Sequence, residues 1–291
     1  MMFDQNPSQR PITETSLTFK TEDGAELVGR LYRPEGPVGT AVVLNSATGV
    51  LQTFYTHFAR WLATEQGMAC LTYDYRDTGR SWSGPLRHST ADMSDWGIRD
   101  QVAARRAMRR TVPGVPLWII GHSLGAMLLP NQPETEEIAR VIGVASGTVH
   151  HSDHPWPYRA LAMNFWFTLG PLATALCGYL PGKRLRFGED LPAGVFWQWR
   201  KWCTSRDFNA ADFGPRLPAP NWTGKASVRL HAFTDDDLIP PHCVARLAQN
   251  FGGAAQVVRV LPQDYGLQSV GHLSAFSRRN RALWPVLLED A

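Results

Sequence analysis

Ser123 lies at the centre of a five-residue pattern that is typical of a nucleophilic serine. The pattern, Gly121-His122-Ser123-Leu124-Gly125, directly follows an almost wholly apolar run. In a G-x-S-x-G turn between a strand and a helix, the glycines remove side chains that would collide, and the serine hydroxyl is exposed near the positive end of the helix. The pattern predicts a nucleophile, but in a chain with 25 glycines it needs support from the rest of the sequence.

A base and an acid for this serine occur later in the chain. A serine hydroxyl is a poor nucleophile until a neighbouring base removes its proton. His272 follows a late strand-like run, and three consecutive aspartates, Asp235, Asp236 and Asp237, follow the run before it. The order serine, acid, histidine is the order found with a G-x-S-x-G turn. We predict that His272 is the base for Ser123 and that one of the three aspartates orients it.

Two backbone N–H groups are needed to stabilise the oxyanion that forms when a serine attacks a carbonyl carbon. Leu124, directly after the nucleophile, is expected to supply one donor. The loop after the third strand, residues 45–50, is expected to supply the other. Within this loop we predict the Ala47 N–H as the first choice and the Thr48 N–H as the second.

A scaffold of strands and helices must bring these distant residues together. Short β-type runs alternate with helix-length segments, a pattern that predicts a mostly parallel sheet flanked by helices, an α/β fold. The predicted strands cover residues 16–20, 25–32, 40–45, 68–74, 115–120, 140–146, 226–233 and 256–261, and the predicted helices cover residues 52–64, 92–110 and 273–288. We expect the first two strands to form a hairpin.

The alternation of strands and helices stops between the sixth and seventh predicted strands. This region is rich in proline and holds six of the eleven tryptophans. We interpret the chain, residues 1–291, as a single domain in which residues 148–224 are a helical cap inserted over the end of the sheet. Trp166 and Trp199 of the insertion, with Thr48, are candidate substrate contacts. His122 is another candidate, although a histidine inside such a turn more commonly packs or forms hydrogen bonds.

An uncharged apolar stretch within the insertion, residues 160–180, approaches the length that spans a membrane. Asn164, Gly170, Pro171 and Gly178 interrupt it. We therefore expect a pair of short helices that are buried or touch a membrane surface, in preference to a spanning helix.

The cellular compartment is suggested by the N-terminus and the cysteines. The first residues lack an apolar core flanked by positive charge, so no signal peptide is expected. The cysteines are widely spaced and include no CxxC pair, which predicts neither a disulfide framework nor a zinc site. We expect a cytoplasmic protein.

The composition argues against several other classes of partner. The formal net charge is only +3, and no lysine or arginine run is long enough to follow a phosphate backbone, so nucleic acid is not expected. His150, His151, Asp153 and His154 could hold a metal, but clustered polar residues at the start of a loop are usually solvated. We expect neither a metal nor a cofactor.

With these residues placed, the chain resembles the serine α/β-hydrolases, in particular a group of predicted hydrolases near the serine aminopeptidases. The likeness covers nearly the whole chain and includes GHSLG together with residues 74–81 (DYRDTGRS), 180–195 (LPGKRLRFGEDLPAGV), 234–240 (TDDDLIP) and 271–276 (GHLSAF). Asp77 stands where the family usually has glycine, and aspartate tolerates a left-handed backbone better than most residues.

The resemblance implies an α/β-hydrolase fold and hydrolysis, with no fixed substrate and no necessary peptidase activity. In resembling enzymes the orienting acid lies roughly four residues before a proline such as Pro240, which selects Asp236. The expected reaction is hydrolysis of an ester or thioester, with an amide as a further option, on a small molecule with an apolar acyl group. Two alternatives stay open: an acyltransferase with the same triad, and a non-catalytic binding protein on the same scaffold.

Overall fold

The chain forms a large, mostly parallel sheet flanked by helices. The structure, a computed structural model, describes residues 10–289. The strands are β1 (Ile12–Lys20), β2 (Glu26–Pro34), β3 (Thr40–Asn45), β4 (Met68–Tyr73), β5 (Leu117–His122), β6 (Ile138–Val144), β7 (Tyr179–Leu180), β8 (Leu191–Pro192), β9 (Ser227–Phe233) and β10 (Ala255–Val260). The helices are α1 (Thr56–Thr64), α2 (Gln101–Thr111), α3 (Leu124–Met127), α4 (Tyr158–Asn164), α5 (Gly170–Cys177), α6 (Gly182–Leu185), α7 (Ala193–Cys203), α8 (Pro241–Ala248) and α9 (Leu283–Leu288).

Eight strands form the main sheet in the order β1-β2-β4-β3-β5-β6-β9-β10. β1 pairs with β2 and β2 with β4 in antiparallel fashion, and every later neighbour is parallel. The expected hairpin of the first two strands is thereby confirmed. The strand order reverses between β3 and β5, and ligands of open α/β sheets bind beyond the carboxyl ends of strands at such a point. The loop after β3 and the turn after β5 therefore meet where a site is expected.

The central strands are buried on both faces because helices cover both sides of the sheet. In β3 every residue after Thr40 is buried, and in β6 only one residue, Ala139, is exposed. α1 packs its apolar side on one face through Phe58, Trp61 and Leu62. The loops of the site therefore extend from the ends of strands that are packed on both faces.

The C-terminal segment differs from the single helix predicted for residues 273–288. Two short 3-10 turns, Ser274–Phe276 and Arg278–Asn280, precede a helix of only six residues, α9. Side chains in this segment bond to the main chain: Ser277 Oγ and Asn280 Nδ2 both donate to the carbonyl of Ser274, at 2.8 and 3.0 Å. Such local bonds compete with the helical hydrogen-bond pattern.

The region interpreted from the sequence as an insertion, residues 148–224, has one long helix over the apolar stretch where two short ones were expected. α4 and α5 are joined through a π-helical turn, Phe165–Leu169, into the continuous helix Tyr158–Cys177. In this turn the Gly170 N–H bonds to the Phe165 carbonyl, and Pro171 has no N–H for the next acceptor, the carbonyl of Trp166. Arg200 Nε donates to that carbonyl at 2.6 Å. The π turn and this arginine let the helix continue through a proline.

Candidate active site

Ser123 occupies a strained turn between β5 and α3. Its φ of 53° and ψ of −114° place it in a region that non-glycine residues rarely adopt. A Cβ on Gly121 would collide with the main chain of Gly125, and one on Gly125 would collide with the carbonyl of Asn45. The two glycines are therefore required for the close approach of strand, turn and helix. Strain of this kind is found mainly at functional positions.

Asn45 ties the loop after β3 to the nucleophile turn. Its Nδ2 donates to the Gly125 carbonyl at 2.9 Å, and its Oδ1 accepts a hydrogen bond from the Tyr73 hydroxyl at 2.8 Å. The Ser146 hydroxyl, after β6, donates to the Ser123 carbonyl at 2.6 Å. The main chain of the turn is thus held from the strands on both sides.

His272 and Asp236 form a close pair after β10 and β9. His272 Nδ1 lies 2.9 Å from Asp236 Oδ2. The other carboxylate oxygen, Oδ1, accepts the N–H groups of Leu238 and Ile239, both at 2.9 Å. Asp236 is only 2% exposed, so its carboxylate is fixed by three donors in a buried setting. Because Nδ1–H points to the carboxylate, Nε2 of His272 is the nitrogen left to accept a proton.

The two neighbouring aspartates have other surroundings. Asp235 Oδ2 accepts the N–H of Val270 at 2.8 Å, which ties the acid loop to the segment that carries His272. Asp237 is exposed, and its carbonyl accepts a hydrogen bond from His154 Nδ1 at 3.0 Å. Neither carboxylate bonds to His272 in the described part of the chain. The geometry therefore selects Asp236 among the three candidates.

His122 was a candidate substrate contact, but it lies in the core. It is fully buried and lines neither pocket beside Ser123. The Tyr55 hydroxyl accepts the Ala47 N–H at 3.0 Å and lies 2.8 Å from His122 Nδ1, so its own proton goes to Nδ1. His122 Nε2 then donates to the carbonyl of His272 at 2.8 Å. Burial is the main reason that the pKa of His122 is lowered to about 3, which keeps the ring neutral.

The same network changes the assignment of the oxyanion donors. Because the Ala47 N–H is bonded to Tyr55, it points to a core side chain. Within residues 10–289, the N–H groups of Thr48 and Leu124 donate to no acceptor. Thr48 also lines both pockets beside Ser123. The first choice from the sequence, Ala47, is therefore disfavoured, and Thr48 with Leu124 fits the role.

An apolar pocket of about 260 Å³ opens beside Ser123. Trp166 and Trp199, both proposed from the sequence, lie in its wall with ring centroids 5.0 Å apart in an edge-to-face contact. The insertion helix contributes four further residues, and the others come from the loops at the end of the sheet, from α3 and α7, and from Phe187 and Phe208 elsewhere in the insertion. The full lining is Thr48, Ser123, Leu124, Met127, Gly147, Val149, His154, Tyr158, Leu161, Ala162, Phe165, Trp166, Phe187, Trp199, Cys203, Phe208, Leu238 and Ile239.

A second, more polar pocket of about 590 Å³ adjoins the first. Its wall includes Ser123, His272 and the three consecutive aspartates, together with Arg186 of the insertion. Ser123 and Tyr158 belong to both walls, so the serine lies at the junction of an apolar and a polar compartment. Burial, followed by the charge of Asp236, raises the pKa of Tyr158 to about 12, which keeps this phenol protonated.

Side chains of the loop after β4 hold neighbouring loops in place through hydrogen bonds and ion pairs. Asp74 Oδ1 accepts the Gln52 N–H at 2.8 Å, which fixes the segment that follows the oxyanion loop. Arg76 bridges two carboxylates, Asp100 and Asp23, each at 2.7 Å. These side chains tie loops together, and they do not line either pocket beside Ser123.

Asp77 adopts the left-handed conformation that was expected where the family usually has glycine. Its φ is 61°. Its carboxylate accepts hydrogen bonds from the hydroxyls of Ser83 and Ser89. An aspartate replaces glycine here because its short polar side chain finds local partners in the strained conformation.

Three of the four polar residues named at the start of the insertion, His150, Asp153 and His154, form side-chain hydrogen bonds or ion pairs. Asp153 pairs with Arg246 at 2.8 Å, and His150 Nδ1 lies 2.7 Å from the Ser152 hydroxyl. Among the described residues, Asp153 comes close enough to His242 and Cys243 to share an ion. The cation already beside Asp153 disfavours a metal there.

Two tyrosines of the site were not predicted from the sequence. Tyr55 holds His122, and Tyr158 borders both compartments. Tyr55 was hidden in a helical apolar pattern with Phe58, where a tyrosine is indistinguishable from a core residue. The signal for Tyr158 was its position just before the apolar stretch. This position indicates the start of a helix but not the direction in which the tyrosine side chain points.

Comparison with known proteins agrees with this architecture. The model of the alpha/beta hydrolase family matches residues 42–284. Among curated protein sequences no significant match is found. An esterase from Pyrococcus furiosus superposes with a TM-score of 0.60 at 15% identity, covering 97% of this chain and 95% of the esterase. A serine hydrolase without a lid from Xanthomonas campestris gives a TM-score of 0.51 at 15% identity, covering 98% and 100%.

A third structure shows how widely this scaffold occurs. Oligopeptidase B from Leishmania major gives a TM-score of 0.53 at 10% identity, covering 95% of this chain but 36% of the peptidase. Identities at this level establish the fold and leave the chemistry to be argued from the site. The family match spans most of the chain, including Ser123, Asp236 and His272, and the chain belongs to the alpha/beta hydrolase family.

Proposed function

We propose that the protein is a serine esterase or thioesterase that acts on substrates with an apolar acyl group. The observation that carries the proposal is that Ser123 lines an apolar pocket and also shares a polar pocket with the bonded pair formed by His272 and Asp236. Indole and phenyl rings in that wall bury large areas and make few polar demands, which suits an acyl chain. The adjoining polar compartment offers space for the alcohol or thiol part.

In the proposed reaction His272 Nε2 takes the proton of Ser123, and the serine oxygen attacks the carbonyl carbon. Asp236 keeps His272 in the Nδ1–H tautomer and stabilises the imidazolium that forms. The N–H groups of Thr48 and Leu124 stabilise the oxyanion. The protonated His272 then gives its proton to the leaving alcohol or thiol, and the acyl group stays on Ser123.

Water completes the cycle. His272 removes a proton from water, and the resulting nucleophile attacks the acyl-Ser123 carbonyl. The tetrahedral intermediate collapses, the carboxylic acid leaves, and the proton returns to Ser123. The atoms balance as one ester or thioester bond hydrolysed per cycle, without a redox step. An alcohol in place of water would give acyl transfer through the same intermediate.

The test is a panel of p-nitrophenyl esters and acyl thioesters of graded length, read against Ser123→Ala. We expect turnover by Ser123→Ala to be at least about 10³-fold lower than turnover by the parent, and labelling of this variant by a fluorophosphonate probe to vanish. Ser274→Ala is the matched control, since Ser274 is another serine in the polar pocket. Turnover and labelling that persist in Ser123→Ala would show that another group is the nucleophile.

The same panel separates the alternatives. Run with an added alcohol, a hydrolase gives mainly free acid, whereas an acyltransferase gives mainly the new ester. A parent protein that neither labels nor turns over any substrate, yet binds fatty acids, would be a binding protein on this scaffold.

A further inference from the structure

The helix Tyr158–Cys177 packs on the protein along one side and leaves many of its apolar side chains exposed. Its buried positions Ala162, Trp166, Gly170 and Thr174 recur every four residues, so the helix contacts the fold along one narrow seam. The large apolar side chains off this seam are between 41% and 86% exposed: Leu161, Met163, Phe167, Leu169, Leu172 and Leu176. Several large exposed apolar side chains on one helix of a folded protein indicate an interaction surface.

Positive charge occurs at the C-terminal end of this helix and in the chain segment that follows it. No acidic residue occurs from Pro155 to Gly188, and Arg159 is the sole charged residue of the helix. Arg87, Arg184 and Arg186 are exposed and form no ion pair within residues 10–289. Arg87 lies against the helix end, because a Cβ on Gly178 would stand 3.1 Å from its Cβ.

This combination of an apolar face and a cationic edge complements a lipid layer. Leucine and phenylalanine side chains enter the acyl region, while arginines meet anionic headgroups. The exposed face offers only Asn164 and Thr168 as uncharged polar side chains among its large apolar residues, whereas arginines lie at its end. The charge pattern therefore favours anionic lipid.

The helix is long enough to cross a bilayer, but its contacts keep it on the protein. Its 20 residues span about 30 Å. Leu161, Ala162 and Phe165 line the apolar pocket together with Ser123, and Arg200 is bonded to the carbonyl of Trp166. Insertion across a bilayer would dismantle that pocket wall. A helix fixed in this way can lie in the plane of the lipid surface.

We propose that the exposed face of the Tyr158–Cys177 helix is a docking surface for lipid layers that carry anionic headgroups. The helix lies flat, with Leu172 and Leu176 in the acyl region and Arg87 and Arg184 at the headgroups. Docking would place the apolar pocket directly beneath the layer. The binding itself requires no chemistry at Ser123, so the Ser123→Ala protein is expected to dock equally well.

Cosedimentation with vesicles tests this proposal on the full chain. Vesicles of phosphatidylcholine alone are compared with vesicles of phosphatidylcholine and phosphatidylglycerol. We expect the parent and Ser123→Ala to partition to the anionic vesicles, and Leu172→Asp/Leu176→Asp to partition at least about tenfold less. The control is Leu261→Asp, because Leu261 is also an exposed leucine, at 43%, but lies after β10.

A separate variant tests how much the arginine charges contribute to vesicle binding. Arg87→Gln/Arg184→Gln is expected to lower binding to anionic vesicles and to leave the smaller binding to neutral vesicles unchanged. Raising the salt from about 0.1 M to about 1 M should have the same effect on the parent, because the screening length shortens from about 10 Å to about 3 Å.

Three results would overturn the proposal. First, the parent protein could stay in the supernatant with both kinds of vesicle. This result can be interpreted without any variant. The folded Leu172→Asp/Leu176→Asp protein, checked by circular dichroism, could bind as the parent does. The parent could form dimers in sedimentation velocity that this variant abolishes, with no vesicle binding, and the face would then be an interface between two copies.

Discussion

The ring of His122 is joined to the main chain of His272, with Nε2 2.8 Å from the His272 carbonyl oxygen. One residue of the nucleophile turn therefore holds the loop that carries the proposed base. The Tyr55 hydroxyl fixes this ring from its other side, 2.8 Å from Nδ1. His122 acts through His272 and is a positioning residue.

Replacing this ring with another aromatic ring should slow the reaction and leave substrate binding unchanged. For His122→Phe we expect kcat to fall by about tenfold to a hundredfold with KM within about twofold, because small displacements of a catalytic group are costly. Tyr55→Phe, which removes only the hydroxyl, should show the same pattern to a smaller extent. Steady-state kinetics and thermal unfolding are measured together. A loss of thermal stability with unchanged kcat would mean that the network serves folding alone.

The three aspartates after β9 should behave differently when each is changed to asparagine. Asp236→Asn should lower kcat by about 10³- to 10⁴-fold, since an amide can favour the wrong tautomer of His272. Asp237→Asn should be nearly neutral because its side chain is exposed. Asp235→Asn should cost mainly stability through the Val270 N–H. The assignment fails if Asp235→Asn or Asp237→Asn proves the more damaging change to kcat.

The oxyanion donor in the loop after β3 can be tested by removing one N–H group. Thr48→Pro deletes the N–H, whereas Thr48→Ala keeps it and removes only the side chain. We expect kcat to fall by about 10²- to 10³-fold in the proline variant and to change little in the alanine variant. Circular dichroism establishes that both are folded. Equal kcat values in the two folded variants would argue against the Thr48 N–H as donor.

The apolar pocket should set the length of acyl chain that the protein accepts. Ala162 lies in its wall and is 7% exposed, so Ala162→Phe would fill part of the space. We expect kcat/KM for long-chain esters to fall by more than about tenfold, with short-chain esters little affected. Ala160→Phe is the control, because Ala160 is exposed on the same helix. An equal loss for all chain lengths would place the acyl chain elsewhere.

Much of the fold and the order of the site residues could be predicted from the sequence because they depend on local patterns. Apolar runs marked the central strands, and the turn of Ser123 could be recognised from its two glycines. The boundary of the last helix could not be predicted, since Ser277 and Asn280 form bonds to the main chain that compete with helix formation. Likewise, the continuity of the insertion helix through Pro171 depends on Arg200, which lies far along the chain.

The choice among near neighbours required three-dimensional contacts. Ala47 and Thr48 are adjacent, and only the bond from the Ala47 N–H to Tyr55 distinguishes their directions. His122 could be expected either at the substrate or in the core, and its complete burial decides for the core. Such distinctions depend on residues distant in sequence, which periodicity does not reveal.

The most direct test of the proposed chemistry is mass spectrometry of the protein after brief reaction with a slowly hydrolysed acyl ester. We expect one acyl group per chain, attached to the peptide that contains Ser123, with formation slowed at least about 10³-fold in His272→Gln. Acylation of a different residue, or steady hydrolysis with no adduct at Ser123 under any quench condition, would contradict it.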